Sequence, residues 1–239
     1  MAVVKRRQYL FSPGRTMTPQ VSPPREPEIQ YPESDGLPMA DNTLQFQGIV
    51  TIEGNLDAMY PPEANVFVAG DQFWYPVKGR PDIRVAPDTL AVFGRPKGYR
   101  GSYKQWMEDG IAPQVVFEVL SPNNTPAEMD GKFAFYEKYG VEDYYLFDPD
   151  NNVLRGWRRV RRKLKAIPNL DGWVSPRLQI RFDLSSGELV IYRPDGQRFL
   201  TFVELMQRKD EMERLVAEAQ GRAERLAEQL RRLGVDPEQ

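Results

Sequence analysis

The residues that could do chemistry are two acids and a lysine in the middle of the chain. The acid Glu118 is the only charge in the apolar run 113–120, and the pairs Pro81-Asp82 and Pro87-Asp88 precede that run. Lys132 lies on the segment that follows it. Paired carboxylates bind Mg²⁺, and a nearby ammonium can position a water and stabilise the charge of a phosphate in reaction. This pattern is typical of a metal-dependent phosphodiesterase site.

The composition excludes most other catalytic chemistry. The chain of 239 residues contains no Cys and no His, so it has no zinc finger, no iron–sulfur cluster, no Ser-His-Asp triad and no Cys nucleophile. Its 32 basic and 34 acidic residues give a net charge of -2, which by itself does not indicate binding to nucleic acid. Carboxylate, lysine and hydroxyl chemistry remains.

The sequence also predicts where the protein resides. No stretch approaches the roughly 18 apolar residues of a membrane span, and the basic residues near the N-terminus precede no apolar signal region. We therefore expect a cytoplasmic protein without a membrane association. No pattern indicates a small-molecule cofactor.

The helices and strands that the sequence predicts around the acids and the lysine indicate a mixed α/β core. Apolar spacing predicts a helix from Asp41 to Met59, and the capping box Thr125-Pro126-Ala127-Glu128 predicts a second helix from Pro126 to Tyr139. The apolar run 113–120 predicts a strand buried on both faces. Other strands are predicted at 65–69, 72–76, 83–93, 144–147, 153–160, 163–167, 178–182 and 189–193, with a hairpin at 77–80.

The chain divides into three parts. Residues 1–38 are rich in Pro and polar residues and are predicted to be a disordered tail, residues 39–203 form the core, and residues 204–239 form a C-terminal helix. Apolar residues recur in that helix at alternating steps of four and three: Met212, Val216, Ala219, Ala223, Leu226, Leu230 and Leu233. This spacing predicts a coiled coil and self-association, as a homodimer, through residues 205–233. The alternative is an amphipathic helix that packs on its own domain.

Three segments around the candidate site carry a resemblance to a known family. Residues 85–93, 113–122 and 132–149 resemble a restriction-endonuclease-like family expanded in photosynthetic bacteria, a branch of the PD-(D/E)xK nuclease superfamily. The resemblance extends from Tyr31 to Glu204. It implies a mixed central β-sheet flanked by helices, and hydrolysis of DNA phosphodiester bonds that depends on Mg²⁺ or Mn²⁺.

The resemblance also implies roles for single residues. Asp88 and Glu118 are the expected metal ligands, with the carbonyl of Val119 as a possible third, and Lys132 is the expected catalytic cation. Asp82 then either has no role in the site or is an auxiliary acid.

One departure from the superfamily pattern leaves an alternative open. Leu120 occupies the place of the usual lysine, two residues after the second acid. The alternative is a binding or assembly module of nuclease fold that acts through its coiled coil and has a weak or inactive site. Asp71 is a further candidate ligand, and Tyr136 is expected to be a core residue.

The segment 155–165 is dense in basic residues and contains Trp157. Alternate residues of a strand share a face, so one face of a hairpin here could contact phosphates. An equally supported alternative is that the charges keep a hairpin at the sheet edge exposed to water and prevent edge-to-edge aggregation. The expected nucleic-acid contacts are Arg158, Arg159, Arg161, Arg162 and Lys163.

Overall fold

A computed structural model describes residues 29–36 and 38–233. Its helices are α1 (Thr43–Met59), α2 (Pro126–Tyr139) and α3 (Phe202–Arg232). Its strands are β1 (Val66–Ala69), β2 (Trp74–Tyr75), β3 (Thr89–Phe93), β4 (Tyr103–Lys104), β5 (Val115–Val119), β6 (Asp143–Asp148), β7 (Val153–Val160), β8 (Lys163–Ala166), β9 (Arg181–Asp183) and β10 (Val190–Tyr192). The mixed α/β class expected from the sequence is confirmed.

A six-stranded sheet in the order β1-β3-β5-β6-β7-β8 forms the centre of the fold. Strands β5 and β6 are parallel and are connected through α2, whereas the other neighbours in this sheet are antiparallel. All five residues of β5 are buried. A strand that is covered on both faces has no polar alternation, which explains the apolar run in the sequence.

Helices cover both faces of this sheet. Ile49, Ile52 and Leu56 of α1 pack on one face with Phe117, while Tyr136 of α2 packs on the opposite face with Val116. Because side chains alternate along a strand, neighbouring residues of β5 enter different layers. Glu118 follows Phe117 and therefore points to the α2 side.

Local signals in the sequence set the helix ends. The Asn42 side chain accepts a hydrogen bond from the Gln45 N–H at the start of α1, and Thr125 accepts one from the Glu128 N–H at the start of α2. Gly140 ends α2 with a φ of 106°, a left-handed conformation that favours glycine. The observed bounds of α2 are those predicted.

The predicted hairpin at 77–80 is reduced to a single antiparallel bridge. Trp74 and Val85 exchange two backbone hydrogen bonds of 2.8 and 3.3 Å, whereas β2 forms its strand pairing in parallel with β4. Strand β3 begins only at Thr89. Proline at positions 81 and 87 removes backbone donors that a continuous strand needs.

The described residues before α1 contact the core. Tyr31 packs on Tyr75 and Trp106, with ring centroids 5.2 Å and 5.0 Å apart. The Tyr75 hydroxyl donates to the Pro32 carbonyl over 2.6 Å. Residues 1–28 of the predicted tail lie outside the described residues. Tyr31 and Pro32, which the prediction placed in the tail, contact the core instead.

Helix α3 has 31 residues, none of them buried. Thr201 and Glu204 form a capping box at its start, in which each side chain binds the backbone N–H of the other residue. No helix among the described residues combines the length and the apolar character that crossing a membrane requires.

Candidate active site

The sheet places Asp88 and Glu118 side by side. Asp88 directly precedes β3, and Thr89 of β3 pairs with Phe117 of β5, so Asp88 lies across from Glu118. Leu90 and Val116, which alternate with the two acids along their strands, pack on the α2 side of the sheet. Both carboxylates therefore face α2. Their exposed fractions are 9% for Asp88 and 2% for Glu118.

Helix α2 supplies two partners for Glu118. The Lys132 Nζ lies 2.7 Å from Glu118 Oε2, and the Tyr136 hydroxyl donates to Glu118 Oε1. Lys132 and Tyr136 are one helical turn apart, so they share a face of α2. The structure thus brings Asp88, Glu118 and Lys132 together, as the sequence predicted, and adds Tyr136.

The backbone of Val119 connects the site to α1. Asp88 Oδ2 accepts a hydrogen bond of 2.6 Å from the Val119 N–H, and the Val119 carbonyl accepts one of 3.0 Å from the Gln45 side-chain amide. A Cβ at Gly48 would lie 3.1 Å from Val119 Cγ1, so glycine permits this close approach of α1. Gln45 thus holds the carbonyl of the residue whose N–H binds Asp88.

Burial and charge together set the protonation of the site. Burial, and then the charge of Glu118, raise the pKa of the Asp88 carboxyl well above its usual value. Burial lowers the pKa of Lys132, but the charges of Glu118 and Asp88 outweigh it and the net shift is upward. Lys132 is therefore a cation at neutral pH. One ammonium faces two acids, so the second acid is balanced either by the proton that Asp88 retains or by a bound cation.

Two acids that share one ammonium suit a divalent cation, which can take the place of the proton on Asp88. Asp88 Oδ1 accepts no hydrogen bond from the described residues, and each oxygen of Glu118 and of the Val119 carbonyl keeps a second lone pair. Within the described chain, no three acidic side chains come close enough to hold a metal ion among them. Two carboxylates and a carbonyl therefore fit an ion that keeps several waters, as Mg²⁺ does.

The other acids considered from the sequence lie elsewhere or at the rim. Asp82 is exposed, and its carboxylate forms an ion pair with Arg80 at 2.5 Å and not with the groups around Asp88 and Glu118. The Asp71 N–H donates to the Pro87 carbonyl over 3.1 Å, which holds this residue beside Asp88. Burial, and then the charge of Asp35, raise the pKa of Asp71.

Replacing Asp88 with Asn is expected to stabilise the metal-free protein at high pH. The folded state raises the pKa of Asp88, so it holds the proton more tightly than the unfolded chain does, and the free energy of unfolding falls as pH rises from about 4. The variant lacks this titration. Thermal unfolding in EDTA should show a Tm above wild type at pH 8 and little difference at pH 4.

The other Pro-Asp pair supplies the matched control. Asp82→Asn removes only an exposed ion pair, so its effect on the Tm should stay small at both pH values. A difference between Asp88→Asn and wild type that does not grow with pH would contradict the assignment of the buried titration to Asp88.

The basic residues of the β7–β8 hairpin are divided between the two faces of the sheet: Arg159 faces α2, whereas Arg158 pairs with Lys165 on the opposite, exposed face. The guanidinium of Arg159 donates to the carbonyls of Val141, Tyr136 and Glu137 at 2.7, 3.0 and 2.8 Å, so it caps the C-terminal end of α2. Lys163 pairs with Glu137 at 2.6 Å. Arg159 therefore serves the packing of the hairpin on α2, whereas the Lys163 side chain remains 69% exposed.

The strand register places the hairpin tip away from the acids. Glu118 pairs with Leu146 of β6, which pairs with Arg155 of β7, whereas Arg158 pairs with Asp143 at the other end of β6. Arg161 and Arg162 lie beyond Arg158, so they are still farther along the sheet. The exposed cation level with Glu118 is Arg155.

A cavity lies on the same face as Arg155. It has a volume of about 260 Å³ and is lined by Arg155, Trp157, Phe133, Tyr144 and Asp130, among others. The Tyr144 hydroxyl is buried and has no hydrogen-bond partner among the described residues. The sequence analysis missed Arg155 as a residue near the site, because only the pairing of β5, β6 and β7 brings it there.

Gln45 and Tyr136 were also missed as parts of the site. Tyr136 was expected to be core, and it is fully buried, but its hydroxyl binds Glu118. The signal in the sequence was the spacing of four residues between Lys132 and Tyr136, which places both side chains on one face of a helix. For Gln45 there was none, because its partner Val119 is distant in sequence.

A mixed sheet with two buried acids and a lysine on one face defines a protein of the restriction-endonuclease-like nuclease class. The family model described as "Uma2: Putative restriction endonuclease" matches residues 51–185, which is more than half of the chain. The protein belongs to this family. The matched range contains Asp88, Glu118 and Lys132 and ends before α3.

Comparison with solved structures gives a distant similarity. The crystal structure of a "putative nuclease belonging to DUF820" from Anabaena variabilis ATCC 29413 superposes with a TM-score of 0.42 and 14% sequence identity. The superposition covers 62% of this chain and 75% of that chain. No curated protein matches the sequence.

Proposed function

We propose that this protein is a metal-dependent endonuclease that hydrolyses phosphodiester bonds of DNA. The observation that carries the proposal is the buried acid pair Asp88 and Glu118 with Lys132 at 2.7 Å from Glu118. An arrangement that concentrates negative charge in a buried place is costly unless a cation binds there. Membership of the family supports the reaction class.

Asp88, Glu118 and the Val119 carbonyl would hold the metal ion, which is Mg²⁺ or Mn²⁺ in this proposal. When bound, such an ion supplies a Lewis acid for a phosphate oxygen and lowers the pKa of a water molecule. Lys132 supplies a fixed positive charge beside the reacting phosphate and positions the water. Tyr136 and Gln45 keep Glu118 and the Val119 peptide in place through the hydrogen bonds described above.

The substrate contacts that we propose begin at Arg155. It is the exposed cation on the α2 side of the sheet at the level of Glu118, so it can bind a phosphate near the scissile bond. Arg161 and Arg162 make no ion pair with a described residue and remain available for a more distant phosphate. Arg158 lies 3.9 Å from Asp143.

The test is a cleavage assay with supercoiled plasmid DNA. We expect nicked and linear products with Mg²⁺ or Mn²⁺, none with EDTA, and weaker cleavage of RNA of the same sequence. Cleavage that persists in EDTA would overturn the metal dependence. A preference for RNA would overturn the choice of DNA and leave the reaction class intact.

The second candidate is a binding or assembly module that has lost catalysis. Leu120, which packs beside the α2 layer in place of a lysine, favours it. Metal binding, read from the rise in Tm that a ligand of the folded state causes, separates the two functions only together with cleavage. Stabilisation by Mg²⁺ or Mn²⁺ together with cleavage supports the nuclease, and stabilisation without cleavage supports the module.

We further propose that the protein acts as a homodimer joined through residues 205–233. Every residue of α3 is at least partly exposed, including Leu226 at 53% and Val216 at 49%, and an isolated helix is marginal in water. A second copy of the helix would cover these side chains.

Removing residues 205–239 is expected to lower the oligomeric state. Because α3 has no buried residue, the core should keep its fold and its response to metal. Light scattering measures the mass of each form, and the full-length variant Leu226→Glu should have the same effect as the deletion. An unchanged mass in both would show that α3 does not join two chains.

A further inference from the structure

The apolar seam of α3 extends farther than the part recognised from the sequence. In heptad register, positions a are Phe202, Lys209, Val216, Ala223 and Leu230, and positions d are Leu205, Met212, Ala219, Leu226 and Leu233. The seam therefore begins at the first residue of the helix, where Phe202 is 70% exposed. Only one of its positions, Lys209, carries a charge.

We propose that α3 pairs with α3 of a second copy as a parallel, in-register, two-stranded coiled coil. This inference rests on the proposed self-association and specifies its geometry. It places both nuclease domains at the same end of the coiled coil, so that the two sites share one DNA duplex. The partner surface is the same seam on the second chain.

Charges beside the seam favour the parallel arrangement. In a parallel pair, each position g lies near position e of the next heptad in the partner, which pairs Arg208 with Glu213. The twofold axis makes this contact occur twice, and no g–e contact of the helix joins like charges. In the antiparallel pair with full overlap, Arg208 lies near Gln229 and Glu213 near Gln220, so both attractive contacts are lost.

Lys209 is compatible with two strands in register. Its ammonium lies 2.8 Å from Glu213, one turn farther along the same helix, so the charge is directed out of the seam and is compensated. Long basic side chains commonly extend from an apolar surface in this way. A single charged residue at position a fixes the register and limits the number of strands. The parallel pair sets Lys209 across from Lys209 of the second copy, so both ammonium groups must turn outward to Glu213 as they do here, whereas the antiparallel pair would place Lys209 against Leu226 on both sides.

The N-terminal end of α3 exposes apolar residues outside the seam and adjoins a groove of the core. Val203 and Met206 in the first turns are 63% and 40% exposed, and the groove that Leu44 of α1 lines also reaches Thr201 and Glu204. The other end of the helix carries Arg231 and Arg232. Parallel pairing brings the two apolar ends together, whereas antiparallel pairing sets each against the basic end of its partner.

Single-cysteine variants of the full chain test the geometry, because the natural chain has no Cys. Met212→Cys and Leu226→Cys occupy positions d, and each should form an intermolecular disulfide with itself under mild oxidation. Gln207→Cys, at the outer position f, is the matched control. We expect a yield about tenfold above this control for both seam variants, because disulfides require Cβ atoms within about 4.5 Å.

A mixture of Met212→Cys and Ala223→Cys distinguishes the antiparallel pair, in which these two positions face each other. A mixed disulfide without the self-pairs would overturn the parallel arrangement while leaving the dimer intact. A monomeric mass by light scattering would overturn the self-association itself, and a trimeric mass with self-pairs would overturn the two-stranded state. DNA cleavage measured on the same samples reports separately on the proposed nuclease activity.

Discussion

Glu118→Gln is expected to reduce DNA cleavage by about 100-fold or more at saturating Mg²⁺. The substitution preserves the shape of the side chain and removes its charge. It takes away one of two carboxylates that would hold the metal, and it leaves Lys132 without its partner at 2.7 Å. The initial rate of plasmid nicking at a fixed enzyme concentration measures the loss.

The control for this variant is Glu142→Gln, which removes a similar charge from an exposed pair with Arg177. It should cleave as wild type does. Circular dichroism and the Tm establish that both variants are folded. Cleavage by Glu118→Gln within twofold of wild type would contradict the proposed role of this acid.

Lys132→Met is expected to lose cleavage by at least about tenfold and to destabilise the metal-free protein as well. Methionine retains the length of the side chain but not the charge, so the buried Glu118 keeps only the hydrogen bond from Tyr136. Breaking a buried ion pair by removing one partner costs about 3–5 kcal/mol when the other group stays charged. Protonation of Asp88, whose pKa is raised, reduces that cost.

The pH dependence of the loss follows from that protonation. Lys132 lowers the pKa of Asp88, so without the ammonium Asp88 holds its proton still more tightly in the folded state than in the unfolded chain, and stability is lost as pH rises above about 4. The Tm deficit of Lys132→Met should therefore be larger at pH 8 than at pH 4, and Mg²⁺ should restore part of it. Urea unfolding in EDTA gives the free energies.

The control is Lys138→Met, on the same helix but exposed and in contact with the Tyr139 ring. It should retain both cleavage and stability. A variant Lys132→Met as active as wild type would show that Lys132 serves the fold alone. Equal Tm deficits at both pH values would show that the loss does not arise from the acids.

The sequence was sufficient for the features that local signals determine. The bounds of α2 follow from Thr125, Pro126 and Gly140, which satisfy or replace backbone groups within a few residues. The isolated charge of Glu118 in an apolar run identified a functional acid candidate, because a buried charge needs a partner. The family resemblance then related Asp88 and Lys132 to it.

Only the tertiary structure decided which distant groups meet. The pairing of β3 with β5 set Asp88, which the resemblance had indicated, across from Glu118, and the packing of α1 on β5 brought Gln45 to the Val119 carbonyl. The strand order places Arg155, and not a residue of the hairpin tip, level with Glu118. It also places Arg159 at the C-terminal end of α2, where it caps the helix. Such contacts depend on strand order and register, which hydrophobic patterns leave open because many pairings bury the same apolar residues.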